Sequence, residues 1–182
     1  MRPLEEDLQA ALAHHGHLCH GMVMDVRMAR YACNVLGIDN PQSYRDLIVY
    51  VEMDRCASDA VSVVTGATLG RRRLKWKDYG KMAATFLDLA SDRAVRLAPR
   101  PEVPHAGSND DPLTMWTNWS DDQLFSCTPV KVIIPPEDLP GRPTRTIICA
   151  SCGEKVQDGR EVEVGDKTLC RACAGDSYYT IC

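Results

Sequence analysis

The chain has 182 residues, of which 45% are apolar and 25% charged, and its formal net charge is −4. This size and apolar content fit one domain, or one domain with a small appendage, and the acidic balance gives no electrostatic reason to expect nucleic acid or anionic lipid as a partner. No apolar run approaches the roughly 18 residues that cross a bilayer, so we expect no membrane contact and a cytoplasmic protein.

The cysteine content fits that compartment. Acidic residues at positions 5–7 stand where a signal peptide would need its apolar core. The nine cysteines are therefore better explained as metal ligands, reactive thiols or buried apolar groups than as a disulfide framework. Their odd number also argues against complete pairing.

The first fifty residues predict two helices and a strand. Leucines spaced by four over 4–12 predict a helix that ends near His14, where Gly16 interrupts it. A second apolar face over 21–37 predicts a helix with a glycine at its C-terminal end. The β-rich run at 46–53, DLIVYVEM, is typical of a short buried strand.

Residues 56–66 predict a third helix, with Ser58 as its N-cap and Gly66 as its stop. Further strands are expected at 72–80, 81–89, 93–99 and 128–134, with a helix or two short helices over 113–125. Helices and strands mix without a repeated βαβ rhythm, so we predict an α+β fold, with antiparallel strands in a mixed N-terminal domain.

A proline-rich segment separates this domain from a cysteine-rich end. Residues 135–146, PPEDLPGRPTRT, contain four prolines and one glycine, a composition typical of linkers. We therefore predict an α+β domain over 1–140, a linker over 141–147 and a small zinc ribbon over 148–182.

The ribbon prediction depends on two CxxC pairs, Cys149/Cys152 and Cys170/Cys173. Four thiolates in this spacing converge tetrahedrally on one zinc ion, which substitutes for the core that so short a module lacks. The stretch between the pairs alternates and is expected to turn at Asp158-Gly159 and Gly165-Asp166, as a small ribbon hairpin would. Residues 146–182 hold four basic and six acidic side chains, so the charge disfavours a zinc-ribbon regulator that binds nucleic acid.

Four of the five histidines lie in one stretch, HHGHLCHGM, at 14–22. His15 and His17 flank Gly16, and His17 and Cys19 would point to the same side of an extended segment. Cys19 and Cys56 each precede a predicted helix, where free N–H groups favour the thiolate. With Asp59, these residues could form a mixed N, S and O site for zinc or another late transition metal.

Other readings of the same residues stay open. A buried cysteine is usually an inert apolar group, which is our interpretation of Cys33 and Cys127. Asp59 could simply complement the dipole of its helix. His14 and His20 could be solvated, and the whole cluster could be an accident of composition.

Three ordered motifs resemble the formylmethanofuran dehydrogenase E-subunit family over nearly the whole chain. They are HGHLCHGMVMDVRM (15–28), VEMDRCASDAVSVVTGATLG (51–70) and DYGKMAATF (78–86). The resemblance implies an N-terminal α+β domain paired with a C-terminal zinc ribbon. It also implies an active-site cleft, formed in this numbering by His15, His17, Cys19, Cys56, Asp59, Thr65 and Gly66. Of these, His15 or Asp59 would act as the catalytic proton carrier, and Thr65 and Gly66 would line the binding cleft.

The chain departs from the family pattern at three places. His20 replaces a proline, Asp25 replaces a glycine, and Arg72-Arg73 replaces a glycine–asparagine pair. The first change could add a ligand or a proton donor. The last alters the ordinary substrate contact that the resemblance implies.

Two functions follow as hypotheses. In the first, a zinc, nickel or iron ion held by His17, Cys19 and Cys56 polarises a small substrate for a one-carbon or redox reaction. In the second, the protein is an accessory subunit or metal sensor that docks on a larger oxidoreductase complex through its ribbon. We also expect a homodimer, because the linker lets the ribbon reach a neighbouring chain.

Overall fold

The structure is a computed structural model that describes residues 1–107 and 109–182. The chain divides into two compact units, Met1–Val132 and Ile133–Cys182. The first contains helices α1 Leu4–His15, α2 His20–Leu36, α3 Cys56–Thr65 and α4 Asp121–Leu124, and strands β1 Leu47–Val51, β2 Leu74–Trp76, β3 Ala84–Asp88, β4 Arg93–Pro99 and β5 Phe125–Val130. The second contains a 3₁₀ turn at Pro136–Asp138 and strands β6 Thr146–Ile148, β7 Lys155–Gln157, β8 Glu161–Val164 and β9 Lys167–Cys170. The predicted α+β class is confirmed.

The strands of the first unit form one mixed sheet in the order β2-β1-β3-β4-β5. β1 and β2 run parallel, because α3 carries the chain back between them. The other neighbours are antiparallel. Side chains alternate between the two faces of a strand, so Val49, Val51 and Phe86 enter one apolar core with the buried face of α2.

An internal ion pair joins α1 to α2. Asp7 is only 2% exposed, and its carboxylate is paired with the guanidinium groups of Arg2 and Arg30. A buried charge is tolerated only when it is paired in this way. The pairing fixes α1, and thus His15 at its end, against α2.

The second unit consists of two separate two-stranded sheets, β6–β7 and β8–β9. The predicted hairpin between the CxxC pairs forms from β8 and β9, around a turn at Gly165-Asp166 where Gly165 has φ of 63°. It does not include β7, which pairs with β6. The predicted turn at Asp158-Gly159 does form, with φ of 56° and 70°. Asp158 accepts a hydrogen bond from the Thr144 amide at 2.8 Å, so this turn is held against the chain that enters β6.

The segment 133–140, predicted to belong to the α+β domain, groups with the second unit. Its 3₁₀ turn is held there by the ion pair between Asp138 and Arg160. A proline-rich composition therefore did not prevent local packing.

Two further local predictions differ from the structure. The N-cap of α3 is Arg55, whereas the Ser58 hydroxyl lies inside the first turn and donates to the Arg55 carbonyl at 2.9 Å. Within 113–125 only α4 is helical, and it opens with a capping box at Ser120. No helix formed by the described residues is long and apolar enough to span a bilayer.

Candidate metal centre

The loop between α1 and α2 brings the histidines and Cys19 together. Gly16 ends α1 in the left-handed conformation, with φ of 90°, and its amide donates to the Leu12 carbonyl. The chain therefore turns sharply between His15 and His17, whose ring centroids lie 4.6 Å apart. Cys19 is the N-cap of α2, and its Sγ accepts a hydrogen bond from the Met22 amide at 3.3 Å.

Helix α3 supplies the facing residues Cys56 and Asp59, which are one helical turn apart. The Asp59 carboxylate lies 2.8 Å from Nδ1 of His15. The opposite nitrogen of that ring, Nε2, lies 3.5 Å from Sγ of Cys56. Asp59 therefore orients the His15 ring, and Nε2 faces the sulfurs.

Three potential ligand atoms converge. One atom each from His15, His17 and Cys19 lie within 4.8 Å of one another. Imidazole and thiolate are the ligands that zinc and other late transition metals take in proteins. A carboxylate bonded to the second ring nitrogen of a histidine ligand, as Asp59 is here, is the usual outer support of such a site.

Cys19 and Cys56 form a thiol pair beside these ligands. Their Sγ atoms are 3.3 Å apart. Burial, together with the hydrogen bond to Cys19, raises the pKa of the Cys56 thiol to about 11. Without a metal, Cys56 is therefore a thiol at neutral pH, contrary to the expectation that its place at a helix start favours the thiolate.

The structure separates the predicted site residues into two groups. His15, His17, Cys19, Cys56 and Asp59 lie together. Thr65 and Gly66 lie at the opposite end of α3, about 13 Å along the helix axis from Cys56. There the Thr65 hydroxyl donates to a carbonyl of its own helix, and the Gly66 carbonyl accepts from Arg73.

Sequence reasoning does not reveal which partner each group has. Asp59 is a candidate metal ligand by sequence, yet its carboxylate binds a histidine. His20 could be solvated by sequence, yet its Nε2 is buried and its ring packs edge-on against Trp116. The signal for Asp59 is the i, i+3 spacing from Cys56, which puts both on one helix face. Nothing in the sequence links His20 to a residue 96 positions away.

The remaining predicted cysteines of this unit have simpler surroundings. Cys33 is fully buried in α2, and burial raises the pKa of its thiol to about 12. Cys127 lies half-buried on β5, and burial raises the pKa of its thiol as well. Both environments agree with the interpretation of these residues as packed, unreactive groups.

A second ligand group lies in the C-terminal unit. The sulfurs of Cys149, Cys152, Cys170 and Cys173 lie within 4.8 Å of one another. Hydrogen bonds from the amides of residues 152, 170 and 151 lower the pKa of the Cys149 thiol to about 6. Four cysteine sulfurs with amide support are the donor set of a structural zinc site.

Comparison with known proteins gives a family match for each part of the chain. The sequence model of the family described as "FmdE, Molybdenum formylmethanofuran dehydrogenase operon" matches residues 14–122, which is more than half of the chain. The chain belongs to the FmdE family. Residues 142–179 match the prokaryotic dksA/traR C4-type zinc finger. The resemblance predicted from the three motifs is thereby confirmed, and the C-terminal unit of this FmdE protein carries a zinc-finger region.

Two relatives extend the comparison. A tungsten formylmethanofuran dehydrogenase FmdE-like protein from Syntrophus aciditrophicus has the same fold, with a TM-score of 0.62 and 21% identity over 97% of this chain and 95% of that one. A "Probable S-adenosyl-L-methionine-binding protein" from Archaeoglobus fulgidus is 28% identical over 202 residues, covering 92% of this chain. The FmdE protein spans about half the length of that curated relative, 52%.

Proposed function

We propose that the N-terminal unit is a metal-dependent catalytic domain for a small-molecule substrate, and that the C-terminal zinc finger is a structural module for protein contacts. The convergence of His15, His17 and Cys19 within 4.8 Å carries the first part of the proposal. Three protein ligands leave a coordination position open, as in catalytic rather than structural zinc sites.

The donor set fits the proposed ion. Two imidazoles and one thiolate suit zinc, nickel or iron, and Cys56 is close enough to Cys19 to add a second sulfur. Such an ion, when bound, acts as a Lewis acid toward a small carbonyl or related substrate. His15 is one of the three residues whose ligand atoms converge. If His15 binds the ion, it does not serve as the predicted proton carrier, and Cys56 is not needed as the third ligand.

The protein's own groups would prepare the site. Asp59 accepts from His15 Nδ1 and so keeps Nε2 free to bind the ion. The Met22 amide stabilises negative charge on the Cys19 sulfur. Cys56, whose sulfur lies 3.3 Å from that of Cys19, is placed to carry a proton to a neighbouring atom when Cys19 alone supplies the sulfur ligand.

Metal analysis of single variants tests this proposal. The wild-type protein should bind two ions per chain, one at each ligand group. Cys19→Ser should lose the N-terminal ion and keep its fold, because serine also serves as an N-cap of α2 and a half-buried sulfur contributes little packing. The matched control Cys127→Ser changes another half-buried thiol, outside the cluster, and should keep both ions. Full metal content in Cys19→Ser would refute the proposed centre.

A second candidate function is an accessory subunit or metal sensor in a larger oxidoreductase complex. The end of the zinc-finger unit favours it, since Tyr178 is 98% exposed and Ile181 is 93% exposed. Exposed apolar side chains of this kind mark protein contacts. We also propose that the protein forms a homodimer and is located in the cytoplasm.

Light scattering and co-purification separate these assemblies. A dimeric mass that falls to the monomer in the double variant Tyr178→Ser, Ile181→Ser would support self-association through the tail. A monomeric mass for the wild type would refute the homodimer. Stoichiometric recovery of redox subunits with the tagged protein would favour the accessory function over a stand-alone enzyme.

A further inference from the structure

The starts of two helices bring the thiols of Cys19 and Cys56 into contact. Cys19 is the N-cap of α2, and Cys56 is the first residue of α3. Their Sγ atoms lie 3.3 Å apart, although 37 positions separate the two residues along the chain. Gly21, in the first turn of α2, faces the same residue, because a Cβ built there would lie 3.7 Å from both Cβ and Sγ of Cys56. The packing of α3 on the first turn of α2 therefore sets the thiol pair.

The pair is close to the geometry of a covalent bond. A disulfide has an S–S length of about 2.05 Å, so the two sulfurs need to approach by only about 1.3 Å. Cys19 and Cys56 are both partly exposed, whereas Cys33, in the same helix as Gly21, is fully buried. A small oxidant therefore reaches this pair more readily than the thiol of Cys33.

The two thiols have the arrangement of a reactive cysteine and its resolving partner. The Cys19 sulfur accepts a hydrogen bond from the Met22 amide at 3.3 Å, and such a bond stabilises the thiolate, which is the form that oxidants attack. Cys56 is in contact with that sulfur. Cysteines that respond to oxidants are typically accessible thiolates with a second thiol beside them.

We propose that Cys19 and Cys56 form a site of reversible oxidation, at which a peroxide converts the two thiols into a disulfide. The Cys19 thiolate attacks one peroxide oxygen, the O–O bond breaks, hydroxide leaves, and Cys19 becomes a sulfenic acid. The Cys56 sulfur then attacks the oxidised sulfur, the S–O bond breaks, and the hydroxyl leaves as water with the proton of Cys56. The two cysteines lose two electrons in total, and one peroxide molecule gains them.

This oxidation removes a ligand from the candidate metal centre. Cys19 is one of the three residues whose ligand atoms converge, and metals bind the thiolate form of cysteine. The disulfide therefore excludes the ion, and reduction by a thiol restores the site. The regulation of metal binding rests on the proposed function, whereas formation of the disulfide does not.

Peptide mapping tests the oxidation site. The full-length protein is reduced in the presence of EDTA, treated with a stoichiometric amount of hydrogen peroxide, blocked with N-ethylmaleimide and digested with trypsin without further reduction. Trypsin cleaves after Arg27, Arg55 and Arg71. Cys19 and Cys56 therefore lie on separate fragments that contain no other cysteine, and we expect mass spectrometry to find these two fragments joined.

Two variants control this measurement. Cys127→Ser changes another partly exposed thiol, outside the cluster, and should keep the link between Cys19 and Cys56. Cys56→Ser should lose the link and leave Cys19 as a sulfenic acid that dimedone traps. A wild type without the link would overturn the proposal, as would a comparable yield of Cys19 linked to any other cysteine.

Zinc protection checks the connection to the metal centre and separates the two claims. Because the ion and the disulfide compete for the Cys19 sulfur, protein saturated with zinc before peroxide is added should yield little of the link. An undiminished link in zinc-saturated protein would support the oxidation site and refute Cys19 as a ligand. An N-terminal ion in the reduced protein, with no link after oxidation in EDTA, would refute the oxidation site and leave the metal centre intact.

Discussion

Asp25 is a carboxyl group in an apolar setting. It is 1% exposed, and neither carboxyl oxygen has a hydrogen-bond partner among the described residues. Burial raises its pKa well above the ordinary value. The cost of this buried acid to stability should therefore depend on pH.

Asp25→Asn should flatten the pH dependence of stability. The unfolded chain releases this proton near pH 4, whereas the folded chain keeps it. The contribution of Asp25 to the free energy of unfolding is therefore most favourable below about pH 4. It is lost as the pH rises toward the folded pKa, with a slope of at most about 1.4 kcal/mol per pH unit. Urea unfolding at several pH values measures the slope. The exposed Asp39→Asn is the control, and an unchanged slope in Asp25→Asn would contradict the prediction.

Asp59 should control metal affinity without being a ligand. Its carboxylate holds His15 at 2.8 Å, and loss of such an outer partner typically costs about 10–100-fold in affinity. We expect Asp59→Asn to weaken N-terminal metal binding by that order and to keep the stoichiometry at saturating metal. Competition with a chromogenic chelator gives the affinity. Asp54→Asn, an exposed acid on the preceding loop, should have no effect, and equal affinities in both variants would exclude this role.

At the scale of elements, the helices end at glycines whose surroundings differ. Gly37 after α2 and Gly66 after α3 both have left-handed backbones, with φ of 77° and 65°. A Cβ at Gly37 would meet no atom within 4 Å, whereas one at Gly66 would lie 2.8 Å from the Gln42 carbonyl oxygen. The two positions therefore separate backbone strain from steric conflict.

Gly66→Ala should destabilise the N-terminal unit more than Gly37→Ala. Both variants carry the left-handed cost of about 1 kcal/mol, and only Gly66→Ala must also displace the backbone at Gln42. Urea unfolding followed by circular dichroism compares the two free energies. Equal losses would mean that the contact with Gln42 relaxes without cost.

At the scale of the whole molecule, the two units should depend on metal differently. The first has a continuous apolar core, whereas the described residues of the second bury few large side chains, Leu169 among them. A module of this size relies on its metal for stability. The zinc finger is thus expected to unfold on its own when its ligands are removed.

Cys152→Ser should remove zinc and unfold residues 133–182 while Met1–Val132 keeps its structure. Cys152 belongs to the four-sulfur group, and structural zinc sites use all four ligands. Metal analysis with amide hydrogen exchange reports both effects. The control Cys182→Ser changes an exposed thiol outside the group. Unchanged zinc or unchanged exchange in Cys152→Ser would show that this unit does not depend on its metal.

Sequence alone determined the features that depend on near neighbours along the chain. The glycine stops at 16, 37 and 66, the strands around Val49 and Phe86, and the two CxxC pairs are all local patterns. Chain conformation within a few residues decides such features. The cluster of histidines and Cys19 was found for the same reason, since its members lie within one loop.

Tertiary structure decided the partners. Asp59 meets His15 across 44 positions, and Trp116 meets His20 across 96. β7 pairs with β6 instead of the strand that follows it. Composition and periodicity specify which face of an element is apolar, but not which other element will cover it. That choice depends on how helices and strands pack and on closing long loops between them, so the hydrogen-bond partners in the site and the contact between its two thiols arise only in the folded chain.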